Sequence, residues 1–214
     1  MDLPSVIPIF ALPNVVLFPG VPLPLHIFEA RYREMVGDAA ASHEIVGMAL
    51  LRGQWHEHYY ESPDIYETGC AGRLISRESL PDGKFNIVLQ GVREFTIGRH
   101  IFEKSYRQAE VRWRPSGLRS IGDERRTRLV RLLAAFLGTQ PESPGHRLLH
   151  DPTLNDDLLV NFFSYALGLA PLEKQGLLEA ASLVERAERL LDILEFRIQE
   201  LRSGPQAPGS GRSH

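Results

Sequence analysis

The chain has 214 residues, enough for one large domain or two small lobes around a substantial core. Hydrophobic residues make up 43% and charged residues 24%, an ordinary balance for a soluble protein, and no run approaches the ~20 apolar residues that span a bilayer. A formal charge of −3 supplies no basic excess for nucleic acid, and the single cysteine, Cys70, excludes an internal disulfide.

The N-terminal MDLPSVIPIF lacks both the basic start and the long apolar segment of a secretory signal. Together with the cysteine count this gives the expectation of a cytoplasmic protein with no membrane association. Residues 15–18, 21–27 and 45–51 are short apolar runs of strand length. The first two belong to a stretch interrupted by Pro13, Pro19, Pro22 and Pro24, and proline is tolerated at sheet edges, strand starts and bulges. Between 27 and 45 the period changes. Tyr32, Met35, Val36, Ala39 and Ala40 fall on one helical face, and Glu29 near the start suits the positive end of the helix dipole.

Residues 70–76 and 84–90 flank Pro81-Asp82-Gly83, a turn in which proline presets one dihedral and glycine supplies the positive one. Phe85, Ile87 and Leu89 then share one face of a strand. Gly91 breaks the run before Phe95 and Ile97 resume it, which predicts a bulge or bend of the kind small barrels need. Residues 110–113 make a last strand.

After residue 117 the period becomes helical. Leu129, Val130, Leu132, Leu133, Phe136 and Leu137 form one stripe, a second helix is expected over 153–167, and Pro171 opens a third to about residue 180. Ser182-Leu183-Val184-Glu185 is a capping-box pattern that opens the last helix, with Leu183, Leu190, Leu194 and Leu201 to one side. The expected organisation is α+β: a β-rich lobe with one helix over 1–117, an all-helical lobe over 118–202, and a disordered tail over 203–214.

Few residues form a chemical constellation. His56 and His58 in WHEHYYE would face one side of a strand, but no further His or Cys cluster completes a zinc set, so no metal site is assigned. Trp55, Tyr59, Tyr60 and Tyr66 between two strands are either binding anchors or a cover over the barrel end. Cys70 between Gly69 and Ala71 reads as buried and structural. Arg125, Arg126, Arg128 and Arg131 make a basic cluster that interleaves no aromatic residue. His26, Glu29, Arg31, Tyr32 and Arg33 surround the strand-to-helix corner. One reading makes Glu29 and Arg33 an exposed helix pair; the other lets the corner line a cleft between lobes and hydrogen-bond an extended peptide. No G-x-x-x-x-G-K-[ST] loop occurs, so no bound nucleotide, cofactor or catalytic residue is assigned.

Four segments in order, IPIFALPNVVLFPGVPLPLHIFEARYREMV, YETGCAGRLI, LPDGKFNIVLQGVREFTI and LAPLEKQGLLEAASLVERAERLLDILE, resemble the substrate-binding N-terminal domain of Lon proteases. The resemblance covers residues 6–200 and implies a PUA-like β-barrel lobe packed on a helical bundle. It departs from the family at Ala30, where proline is frequent, and in carrying neither ATPase nor protease segments, so a stand-alone relative is expected. What the resemblance implies is a non-catalytic protein that binds polypeptide segments in an inter-lobe groove or by strand addition. His26, Glu29, Arg31, Tyr32, Arg33, Trp55, Tyr59 and Tyr60 are its candidate contacts. RNA is the alternative partner, because PUA-like folds include RNA binders.

Overall fold

The computed structural model describes residues 3–59, 61–115, 117, 119–138, 144–149, 151 and 153–203. Six strands form one mixed sheet: β1 (Val6–Leu12), β2 (Pro22–Ile27), β3 (Ile45–Leu50), β4 (Thr68–Ser79), β5 (Phe85–Ile101) and β6 (Gln108–Trp113). Five of them close on themselves in the order β5-β4-β3-β1-β6 and back to β5, which removes every free edge from that ring. β2 is the sixth and lies along the first half of β5 (Leu23 opposite Leu89, Ile27 opposite Phe85).

The first strand differs from expectation. It is Val6–Leu12, whereas residues 15–18 form no strand. Proline at position 8 hides β1 in the sequence but removes no ladder bond. Ile7 and Ile9 face β6, and the parallel pairing with β3 starts only at Ile9. In the 15–18 stretch Val16, Leu17 and Phe18 are buried one after another, so the alternation of a half-buried strand is absent.

Phe18 explains the glycine in β5. A Cβ on Gly91 would lie 2.0 Å from the Phe18 carbonyl oxygen, while Gly91 itself exchanges hydrogen bonds with Gly20 and Val21. The predicted bulge is there: the β4–β5 register skips between Ala71 and Gly72, opposite Arg93 and Gly91. β5 bends at this point and serves both the ribbon with β2 and the closed barrel.

α1 (Ala30–Ala40) buries Tyr32, Met35, Val36 and Ala39, the face its spacing predicts. Residues Trp55–His58 form a 3-10 turn. The second lobe contains α2 (Asp123–Leu137), α3 (Pro144–Leu149), α4 (Asp156–Ala166), α5 (Pro171–Leu178) and α6 (Leu183–Ser203). Asn155 caps α4 by accepting from Leu158 N–H at 2.8 Å, so the helix starts later than the predicted 153. The α6 capping box forms with a small shift. Ser182 Oγ accepts from Glu185 N–H at 3.1 Å, and the Glu185 carboxylate reaches Ala181 N–H at 2.8 Å. α3 has no counterpart in the sequence reading. The predicted tail beyond Ser203 lies outside the described residues.

The core has two parts. Ile7, Ile9, Ala71, Phe95, Ile97, Ala109 and Val111 pack among the barrel strands. The larger part runs without interruption from Phe10, Leu17, Phe18 and Met35 into Leu129, Leu159, Phe163, Leu177, Leu190 and Leu194. The lobes therefore share apolar packing. Among the described residues no helix is long and apolar enough to cross a membrane.

Candidate binding site

Where the lobes meet, a cleft of about 400 Å³ opens between the Pro19-Gly20 turn, the Val92–Glu94 bend of β5, the chain around Arg114 and Arg119, and the starts of α4 and α6. Its floor is fixed by Arg186. An arginine here falls on the apolar stripe of α6, three residues after Leu183 and four before Leu190, and it is only 3% exposed. Burying a charge is tolerated when it is paired and its donors are used. Arg186 Nε donates to the Leu177 carbonyl at 2.9 Å, Nη1 donates to Asn161 Oδ1, and Nη2 donates to Glu94 Oε1 at 2.5 Å and to the Leu178 carbonyl at 3.3 Å. The guanidinium also lies 5.4 Å from the Phe18 ring centroid.

Three more side chains tie the lobes together. Arg114 donates to the carbonyls of Leu178 and Ala180 at 3.0 and 2.7 Å. Asn161 Nδ2 donates to the Pro19 carbonyl at 3.0 Å, and Gln175 Nε2 to the Thr68 carbonyl at 3.0 Å. The rim is looser. Arg119 and Asp157 approach to 3.6 Å with Arg119 82% exposed, and Val92, Leu158 and Leu183 place apolar surface beside them. Burial raises the Asp157 carboxyl above its ordinary value; Arg119 opposes the rise and Glu94 adds to it.

None of the candidate contact residues named from the sequence lines this cleft. Four of them converge elsewhere. Glu29 pairs with Arg31 at 3.0 Å and accepts from Tyr59 Oη at 2.8 Å, while the Arg31 guanidinium lies 4.5 Å from the Tyr32 ring centroid and 4.9 Å from that of Tyr59. Burial, with Glu29 adding, raises the Tyr59 phenol above its ordinary value, and burial pushes Tyr32 up as well. Arg31, Tyr32 and Tyr59 line a second, smaller pocket against the barrel, so the corner belongs to one lobe and not to the groove between two.

The predicted Glu29–Arg33 pair is absent: Glu29 turns to Arg31 and Tyr59, and Arg33 donates to the Gly83 carbonyl at 3.3 Å. His26 lies on the solvent face of β2, 2.9 Å from Asn86 Oδ1. Trp55 and Tyr59 pack on the barrel core, as a cover over its end would. Tyr60 lies outside the described residues. The WHEH segment is a 3-10 turn, so the same-side strand geometry expected for His56 and His58 does not arise. Among the described residues no group of three or more His, Cys, Asp or Glu side chains is placed to hold a metal ion.

Cys70 is fully buried, and burial, with Glu94 adding, pushes its thiol well above the ordinary value, so it is far from a thiolate nucleophile. Three members of the basic cluster face carboxylates of the neighbouring helices: Arg125 with Glu188, Arg128 with Glu195 and Arg126 with Asp156, at 2.8, 2.6 and 2.5 Å. Their charge is matched within the lobe, which leaves the RNA reading without support.

The fold recurs in solved structures. The N-terminal domain of a Mycobacterium avium complex Lon protease matches with a TM-score of 0.70 at 19% identity, covering 89% of this chain and 98% of that one. A Lon N-terminal domain protein from Xanthomonas campestris matches with a TM-score of 0.67 at 22% identity, over 88% and 98% of the two chains. Among curated sequences, the Lon protease of Flavobacterium johnsoniae is 28% identical over 205 residues, 94% of this chain and 25% of that protein. That of Roseiflexus castenholzii is 29% identical over 211 residues, 96% of this chain and 26% of that protein. The chain thus spans about a quarter of the length of these relatives. The model of the ATP-dependent protease La (LON) substrate-binding domain matches residues 6–195, and the chain belongs to that family.

Proposed function

We propose that the chain is a non-catalytic recognition module that holds an extended polypeptide segment in the inter-lobe cleft. The observation that carries this reading is the contrast between floor and rim. Arg186 and Arg114 spend their donors on the lobes themselves, whereas the 3.6 Å Arg119–Asp157 pair and the apolar side chains beside it stay accessible to an incoming chain. A pre-formed floor lowers the entropy lost on binding, and a loose ion pair over apolar surface accepts many sequences. The family name, a substrate-binding domain of a protease, agrees with a polypeptide ligand.

Strand addition at β2 is disfavoured. Val21 faces β5 through its carbonyl, so by alternation Leu23, Leu25 and Ile27 do the same, and the outward positions are Pro22, Pro24 and His26. Two of those three lack an N–H, which leaves that edge a poor template.

The test is fluorescence anisotropy with a chemically unfolded model polypeptide and a random peptide library. Ala181, exposed on the cleft wall, is replaced by Trp to fill the space. Saturable binding by the parent chain and at least about tenfold weaker binding by Ala181→Trp are expected, since a blocked pocket loses its contacts outright. No saturable binding at millimolar peptide, or equal binding by the filled variant, rejects the cleft.

A further inference from the structure

The second pocket, about 160 Å³, brings two guanidinium groups to one wall, Arg31 and Arg107. Arg31 is matched by Glu29 at 3.0 Å, and Lys104 on the rim by Asp38 at 2.6 Å. Arg107 is matched by neither a carboxylate nor a second acceptor. Its Nη2 donates to the Pro63 carbonyl at 2.7 Å, its guanidinium lies 5.7 Å from the Phe102 ring centroid, and it forms no ion pair among the described residues. Burial pulls it below its ordinary pKa and Arg31 adds to the fall, while Tyr32 and Asp64 oppose it. The one acidic residue on the pocket lining, Glu61, is exposed to solvent.

We propose that this pocket captures a single carboxylate carried by a polypeptide, gripped by Arg107 with Arg31 alongside. Glu29 pairs with Arg31 and Asp38 with Lys104, so Arg107 is the lining cation with no carboxylate in salt-bridge contact among the described residues, and a single guanidinium suits a monoanion better than a phosphate dianion. The guanidinium fork presents parallel N–H donors at the spacing of carboxylate oxygens. Phe102, 59% exposed beside Arg107, supplies apolar contact for the adjoining residue of the ligand. The carboxylate is either the C-terminus of a chain or an Asp or Glu side chain. The inference rests on the proposed polypeptide ligand only for the carrier of that group; the anion pocket stands or falls apart from the cleft.

Arginine Nε–H proton–nitrogen correlation spectra of the full chain test it, with acetate, N-acetyl-leucine, N-acetyl-leucinamide and N-acetyl-aspartyl amide as probes. Acetate and at least one of the two larger acids shift the Arg107 signal saturably, and leucinamide does not. Tighter binding of N-acetyl-leucine identifies a chain terminus as the source; tighter binding of the aspartyl amide identifies a side chain. Arg107→Gln weakens the acids by about tenfold or more, Arg107→Lys weakens them less, and Ala181→Trp leaves them unchanged. No saturable shift with any acid, equal binding of the amide, or undiminished binding by a folded Arg107→Gln overturns the proposal. If Arg107→Gln fails to fold, the acid-against-amide comparison on the parent chain decides alone.

Discussion

Two arginines, the buried Arg186 at the seam between lobes and the half-buried Arg107 at the barrel corner, are used in opposite ways. Arg186 directs its donors to two backbone carbonyls, a carboxamide and a carboxylate. Arg107 gives one hydrogen bond to a carbonyl and leaves the rest of its fork facing a pocket. Saturation of the guanidinium separates an arginine that holds the molecule together from one that is free to hold something else. The same distinction runs through the cleft, where the saturated floor of Arg186 and Arg114 supports a loosely paired rim.

If that contrast is right, Arg186→Met is the most damaging change. It strands Glu94 without its cation in a partly buried site and costs about 3–5 kcal/mol in urea denaturation, as broken buried pairs do. Adding Glu94→Gln should recover part of the loss, and full additivity of the two changes would break the assignment. Gly91→Ala attacks the same seam through the backbone. Its Cβ at 2.0 Å from the Phe18 oxygen must push the 15–18 stretch away from β5, at a cost of about 3 kcal/mol.

Smaller effects sharpen the picture. Asp156 accepts from Ile121 N–H at 2.8 Å and from Arg126. Burial alone would raise its carboxyl, but those hydrogen bonds, with help from Ser120, outweigh it and hold the group below its ordinary value. A lowered folded pKa gives stability that is present above the unfolded value of about 3.9 and lost as pH falls through the folded one. Asp156→Asn should therefore cost about 1–2 kcal/mol at neutral pH, with the gap to the parent chain closing below about pH 4 in melts across pH. Tyr59→Phe, which removes the 2.8 Å bond to Glu29, costs about 1 kcal/mol and leaves peptide binding in the cleft unchanged. A binding loss as large as that of Ala181→Trp would instead join the corner to the cleft.

Features fixed by local period or residue type were legible in the sequence. The buried face of α1 and the α6 cap depend on neighbours a few residues away, while Gly91 as a break and Cys70 as a buried residue were readable from residue type although distant partners fix them. β1 was hidden because its Pro8 makes sense only once β6 and β3 are in place on either side. The run at 15–18 has strand composition, yet its residues are buried in succession, which only the packing of Phe18 on Gly91 explains. The inter-lobe cleft is assembled from segments near 19, 92, 114, 157 and 182, and no local pattern announces such a convergence. One signal was available: an arginine at position 186 on an otherwise apolar helix face requires a partner. The corner residues did cluster as a group, but Glu29 chose Arg31 and Tyr59 over the helical neighbour Arg33.

The closed ring of strands also governs when the molecule can first exist during synthesis. Val6 of β1 pairs with Glu110 of β6, so during synthesis β1 has one flank open until β6 has emerged. The stapling residue Arg186 arrives later still, at the far end of the second lobe. A ribosome-bound chain that stops after α1 therefore holds Ile7, Ile9 and Phe18 without the strands and helices that bury them in the folded chain.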